Sequence, residues 1–447
     1  MSDGATTASS LRPAVRRRRS PDLAAWLPAR WSTVLAVYLA SRAFSLVLLA
    51  VVWEVGHLTG FEFRTPGAEL SLLDFTVSWD ADRYRTIALH GYPTVLPTDS
   101  AGHVLPNEWA FLPAFPTLCH LLMVATGMSF GAAALLLSTA AGAGAVLVLY
   151  RLVDSAVGHR GAIWAVLLLC FGPLGFLFSV GYAEGLMLLA LFGGVLAMRQ
   201  RRYGLVLACG VVAAFTRPGA LALALALAVH LVVRWRTERP EAEVRTAGTL
   251  RTPTEGPEAA VRTEGTARTE GAAWTAPWHV LPRRELGQIV VAGLAIAAAG
   301  LAWPVVAHLA TGRPDAYLQT EMAWWVDYVG RPDFVPLTPW FLLAGRWLGL
   351  AGIALVLALL VLAAIWFTRR STLRLGHETV AFTASFALYL VAVFLPQQSL
   401  FRLLLPLSPL LGAPAVSERP ALRRTLLVGG MALQPVAVVL LWLYVAP

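Results

Sequence analysis

"TVLAVYLASRAFSLVLLAVVW", residues 33–53, is a run that a water-soluble domain would have to bury on every side. It has the length needed to cross about 30 Å of hydrocarbon as a helix, roughly 20 residues. Its single charge is Arg42. The run is too long for the apolar core of a signal peptide, and no A-x-A cleavage site follows it, so it reads as a retained anchor. "RRRR" (Arg16–Arg19) precedes it, and that positive cluster is expected to hold the N-terminus in the cytoplasm. Comparable apolar runs recur along the 447 residues, which are 57% hydrophobic and 14% charged. Soluble domains carry about 25% charged residues. The fold class expected is therefore an all-α polytopic membrane protein.

The formal charge is +9, and every cation is arginine. The arginines cluster in short segments between apolar runs, as membrane topology requires. That placement argues for a membrane partner and against nucleic acid. Cys119, Cys170 and Cys209 form no CxxC pair, so neither a disulfide framework nor a metal site is expected.

With the N-terminus inside, arginine placement threads the chain through about 11 crossings. Residues 1–32 form an Arg-rich cytoplasmic segment. Residues 33–235 form an N-terminal membrane module whose first external loop covers 54–130. The stretch 109–127, with Pro113 and Pro116 near its start, is read as lying at the interface or dipping in. A span at 131–150 follows. The stretch 161–198 is flanked by Arg160 and Arg199, which both favour the cytoplasm, so it is expected to cross twice and turn near Val180–Tyr182. The stretch 203–235 is read as a short-limbed hairpin turning at "TRPG" (Thr216–Gly219). Residues 236–285, with the imperfect repeat "RTEGTARTEG", read as a disordered cytoplasmic linker, because the segment has almost no large aliphatic residues to bury. Residues 286–447 form a C-terminal module with spans at 286–310, 341–366, 379–395, 403–416 and 425–444.

This threading places "FTVSWDADRYRTIALHGY" (75–92) outside the cell membrane. Asp80, Asp82, Arg83 and Tyr84, then Glu184, Arg217 and Arg402, all reach that external face from separate parts of the chain. His90, a lone histidine near the interface, is a hydrogen-bonding candidate in the same stretch. Charged groups in or near hydrocarbon are costly, so they pair, line a cavity, or both. The chemistry that suits them is transfer from a lipid-linked donor. A carboxylate such as Asp80 can take a proton from an acceptor hydroxyl as general base. Arginines can hold the donor phosphate and stabilise the leaving group. "DAD" (Asp80–Asp82) resembles the metal-binding DxD of nucleotide-sugar transferases only superficially, and a monophosphate leaving group demands no metal. The alternative is a transporter or lipid flippase, which predicts binding groups near mid-membrane and an internal repeat. No clear repeat of the spans is visible.

Five stretches carry a family resemblance: "WDADRYRTIALHGY" (79–92), "AFLPAFPTL" (110–118), "GYAEGLMLL" (181–189), "TRPGAL" (216–221) and "QQSLFRLLLPLSPL" (397–410). In this order they resemble the PIG-V family. Its members add the second mannose to GPI anchors, and it includes bacterial relatives. The resemblance implies the glycosyltransferase C class, with many spans and a long first external loop bearing the catalytic Asp. It also implies a polyprenyl-phosphate-sugar donor, with mannose as the sugar, and a lipid, glycan or protein acceptor outside the membrane. The family's Trp-Asp falls on Trp79 and Asp80. Its Tyr-x-Glu falls on Tyr182 and Glu184, with Ala183 where Ser is more usual. No cofactor is implied beyond the lipid-linked donor.

Overall fold

The computed structural model describes residues 30–61, 70–237 and 281–444. The arginine cluster 16–19 and most of the 236–285 linker lie outside those residues. Among the described residues the structure is helical, and the only β pairing is one isolated bridge between Thr98 and Val104.

The helices of eight or more residues are, in chain order, α1 (Trp31–Leu58), α2 (Asp80–His90), α3 (Ala114–Thr126), α4 (Phe130–Val157), α5 (His159–Cys170), α6 (Glu184–Arg199), α7 (Tyr203–Ala214), α8 (Ala220–Thr237), α9 (Arg283–Thr311), α10 (Ala316–Ala323), α11 (Pro339–Thr368), α12 (His377–Val393) and α13 (Pro420–Val438). Among the described residues, five helical stretches are long and apolar enough to cross a membrane: α1, α4, α9, α11, and α13 extended to Tyr444. Helices α5 and α7 have 12 residues each. At 1.5 Å per residue each reaches about 18 Å, well short of the hydrocarbon thickness.

Chain breaks fall where residue chemistry dictates. Between α5 and α6 the α-helix is interrupted from 171 to 183, with a 3-10 turn at Gly175–Ser179, a longer break than the turn expected near Val180–Tyr182. Between α7 and α8 it breaks at 215–219, where Pro218 lacks an N–H and Gly219 takes a φ of 142°. The stretch 109–127 contains α3, only 13 residues long and closed by Gly127 in the left-handed conformation. The single span expected at 403–416 is absent. In its place are one helical turn (Leu400–Leu403), a 3-10 stretch (Leu405–Gly412) and a further turn (Pro414–Ser417). Pro406, Pro409 and Pro414 remove the backbone donors that a continuous α-helix would need.

The centre of the bundle is α6, whose residues are buried almost without exception. Small residues allow this closeness. A Cβ on Gly185 would lie 2.7 Å from the Ser138 carbonyl and 2.9 Å from the Gly142 amide, so α4 and α6 touch backbone to backbone there. Helix α11, two helical segments joined across a kink at Gly349 (φ 57°), is the opposite case: it is the most apolar of the long helices, and only 11% of its apolar window is buried within the chain. Most of its Leu and Val side chains, Val356 excepted, face outward, as they would toward lipid.

Candidate active site

Helix α2 begins abruptly. Trp79, its N-cap, has φ 65° and ψ −117°, a conformation strained for a residue with a Cβ. The strain is held by tertiary bonds. The Trp79 indole donates to the Trp442 carbonyl at 2.7 Å, and the Trp442 indole donates to the Phe75 carbonyl at 2.9 Å. The turn drives Asp80 inward as the first residue of the helix, where its negative charge also faces the positive end of the helix dipole. The Asp80 amide donates to the Tyr182 hydroxyl at 3.3 Å.

Asp80 meets a second acid and two arginines from three other regions. Arg402 reaches Asp80 Oδ2 at 2.5 Å, and Arg217 reaches the same oxygen at 3.3 Å. Each arginine also approaches Glu184 Oε1, Arg217 at 3.1 Å and Arg402 at 3.8 Å. The four groups form a buried square of two negative and two positive charges. That balance is what lets charges leave water at tolerable cost. Glu184 starts α6, Arg217 sits in the break before α8, and Arg402 sits in the broken segment after α12. Tyr84, one helical turn beyond Asp80, receives a bond from Arg217 at 3.3 Å. Burial holds the Tyr84 phenol neutral, well above its ordinary titration range. Tyr182 lies under the Arg402 guanidinium at 5.4 Å and packs on Trp442.

Two features suit a ligand. Every bond to the Asp80 carboxylate falls on Oδ2. Arg402 Nε is buried with no hydrogen-bond partner among the described residues.

The structure thus brings together Asp80, Tyr84, Tyr182, Glu184, Arg217 and Arg402, with Trp79 behind them. It separates Asp82, on the opposite side of α2, and Arg83 and His90, on its flank. Asp82 is exposed and pairs with Arg85 at 3.8 Å. Arg83 pairs with Glu108 at 2.7 Å. His90 is exposed in the last turn. Arg42 lies elsewhere, donating to the Gly175 carbonyl at 2.6 Å and to Ser179 at 3.0 Å.

Sequence reading missed Glu321 on α10. Burial raises its carboxyl to about 7, against a hydrogen bond from Tyr317 and the charge of Arg217, which both act to lower it. The one sequence signal was Tyr317 and Glu321 at i, i+4 spacing in the loop at 311–340. The cluster His230, His377 and Glu378 was missed too. Its histidines stand far apart in sequence, and neither sits in a recognisable metal motif.

No protein-family model matches the chain, and no curated protein aligns with it significantly. Among solved structures, it is similar to the crystal structure of the Archaeoglobus fulgidus oligosaccharyltransferase in complex with zinc and sulfate. The match has a TM-score of 0.41 and 12% sequence identity, and it covers 92% of this chain and 53% of that one. A likeness that low carries no weight for fold or activity.

Proposed function

We propose that the chain is an integral membrane glycosyltransferase that moves a sugar from a polyprenyl-phosphate donor to an acceptor hydroxyl outside the membrane. The sugar is mannose, as the resemblance to the PIG-V mannosyltransferases implies. The reading rests above all on one observation: a buried carboxylate held through one oxygen by two arginines from distant segments.

Asp80 Oδ1, left clear of those bonds, takes the acceptor O–H proton as general base. The acceptor oxygen attacks the anomeric carbon, and the bond from that carbon to the phosphate oxygen breaks. The electron pair leaves with the polyprenyl phosphate. Arg217 and Arg402 meet the phosphate charge, and the partnerless Nε of Arg402 supplies a ready donor. Arg217 and Arg402 become committed to phosphate when donor binds. Glu184 keeps the guanidinium groups in place throughout.

The direct test incubates purified, folded chain with radiolabelled polyprenyl-phosphate-mannose and membrane extract. Label is expected in a lipid, glycan or protein acceptor. Absence of transfer from this donor and from other polyprenyl-phosphate sugars, by protein that remains monodisperse, overturns the proposal.

A further inference from the structure

Away from the Asp80 square, α8 and α12 meet at a second buried polar cluster. His230 lies thirteen positions beyond Arg217, or about 20 Å along a helix at 1.5 Å per residue. His377 begins α12, at the end remote from the segment that carries Arg402. His230 Nδ1 is 2.9 Å from His377 Nε2. Glu378 Oε1 is 3.9 Å from the first nitrogen and 3.4 Å from the second. A point equidistant from these three atoms lies about 2.0 Å from each, which matches the bond lengths of zinc to imidazole nitrogen and carboxylate oxygen.

The surroundings hold two of the three donor groups, His230 and Glu378, in place. The Tyr203 hydroxyl donates to Glu285 at 3.1 Å, and its oxygen accepts from Arg234 at 2.8 Å. Its contact with His230 Nε2 at 3.2 Å is therefore one in which the histidine donates. That fixes the His230 tautomer and leaves a lone pair on Nδ1, the arrangement that outer partners impose on metal-bound histidines. On the carboxylate, Arg199 approaches Oε2 at 3.4 Å and leaves Oε1 toward the histidines. Arg199 is otherwise committed to the Leu152 and Leu375 carbonyls and to the Ser155 and Thr379 hydroxyls. Arg234 is paired with Glu285. These two positive charges are thus already occupied.

We propose that His230, His377 and Glu378 bind one divalent transition-metal ion of the zinc class, with water as fourth ligand. Two imidazole nitrogens and one carboxylate oxygen favour such an ion over magnesium or calcium, which prefer all-oxygen shells. In the metal-free protein, His377 Nε2–H fills the gap by donating to His230 Nδ1, with the two rings only 11° apart in orientation. Binding requires His377 to move that proton to Nδ1 and both rings to turn toward the ion. His377 has room to do so: its side chain is 39% exposed and borders an apolar groove on the bundle surface. The ion would tie α8 to α12, the helices that neighbour the two arginines of the square. The binding claim itself does not depend on the transferase reading.

The test uses full-length chain carrying no polyhistidine tag, purified in detergent, stripped with chelator and titrated with Co2+ and Zn2+. One ion per chain is expected, with the visible absorption of tetrahedral Co2+ and a higher melting temperature on adding Zn2+. His377→Ala is expected to weaken binding more than 100-fold. Tyr203→Phe, which keeps the packing, is expected to weaken it about tenfold, the low end of the effect of an outer-shell partner. The second variant keeps the test decisive if His377→Ala does not fold. Substoichiometric metal, featureless Co2+ spectra, or binding that neither variant changes would overturn the proposal and leave the pair as a hydrogen-bonded His–His contact.

Discussion

The two faces of α2 carry similar residues and have opposite fates. On one face, Asp80 and Tyr84 are buried against arginines from far along the chain. Around the rest of the helix, Asp82, Arg83 and His90 face water or pair with close neighbours. All five lie within eleven residues of one short helix. The 3.6-residue period places 80 and 84 together, turns 82 to the opposite side and leaves 83 and 90 on the flank. A charge motif therefore has no single role. The geometry of the helix sorts it into a buried constellation and a solvated edge, and the contrast can be measured.

The largest effect on stability is expected at Arg402. Arg402→Gln leaves Asp80 and Glu184 facing a single guanidinium, and stranding a buried charge costs about 3–5 kcal/mol. Arg83→Gln removes a partly exposed pair with Glu108 and should cost less than about 1 kcal/mol. Thermal unfolding in detergent compares them, and equal losses would erase the distinction between the faces. Adding Glu184→Gln to Arg402→Gln should recover part of the lost stability by restoring charge balance.

Arg217→Lys comes next. Lysine keeps the charge and loses the planar fork that bridges Asp80 and Glu184. The apparent KM for a polyprenyl-phosphate donor should rise about tenfold, roughly 1.4 kcal/mol of binding, with a normal melting profile. An unchanged KM would shift the phosphate role to Arg402 alone.

Glu321 should show itself through pH. Its folded value of about 7 lies above the ordinary glutamate value of 4.5. The folded state therefore holds the proton more tightly than the unfolded state does. That contribution is full below about pH 4.5 and is lost as pH rises through 7. Melting temperature should fall across this window in the wild type, and Glu321→Gln should flatten the fall. The same slope in both proteins would assign it to another group.

The smallest effects belong to the solvated face. Asp82→Asn and Arg83→Gln should each leave turnover within about twofold, since substitutions outside buried networks usually shift free energies by about 0.5 kcal/mol or less.

Much of the architecture could be read from residue chemistry. Apolar length located both ends of α9 and α11 and the starts of α1 and α4, which run on well past the expected ends at 53 and 150, and Pro218 with Gly219 marked the break before α8. The count of about 11 crossings goes beyond the five helices that, among the described residues, are long enough to cross singly. The segment 403–416 looked like a span because its leucines dominate hydropathy, whereas three prolines decide its backbone. Asp80, Glu184, Arg217 and Arg402 stood out as charges amid apolar sequence. Which residues of α2 would join them depended on where the helix starts, and that is set by Trp79 and its bond to Trp442, 363 positions away. Glu321 and the His230–His377–Glu378 cluster owe their surroundings to packing between distant helices, which leaves no local pattern.

The central claim is that Asp80 acts on a reacting proton rather than serving only as an anchor for arginines. Asp80→Asn nearly keeps the shape and keeps an acceptor oxygen, but it cannot take a proton at neutral pH. Turnover per folded molecule, measured beside Asp82→Asn with a labelled polyprenyl-phosphate-sugar, separates the roles. The expected result is a loss of about 10²–10⁴-fold for Asp80→Asn, the usual worth of general-base catalysis, with near-normal turnover for Asp82→Asn. Turnover of Asp80→Asn within threefold of wild type would contradict the assignment, and would leave the carboxylate as a structural partner of Arg217 and Arg402.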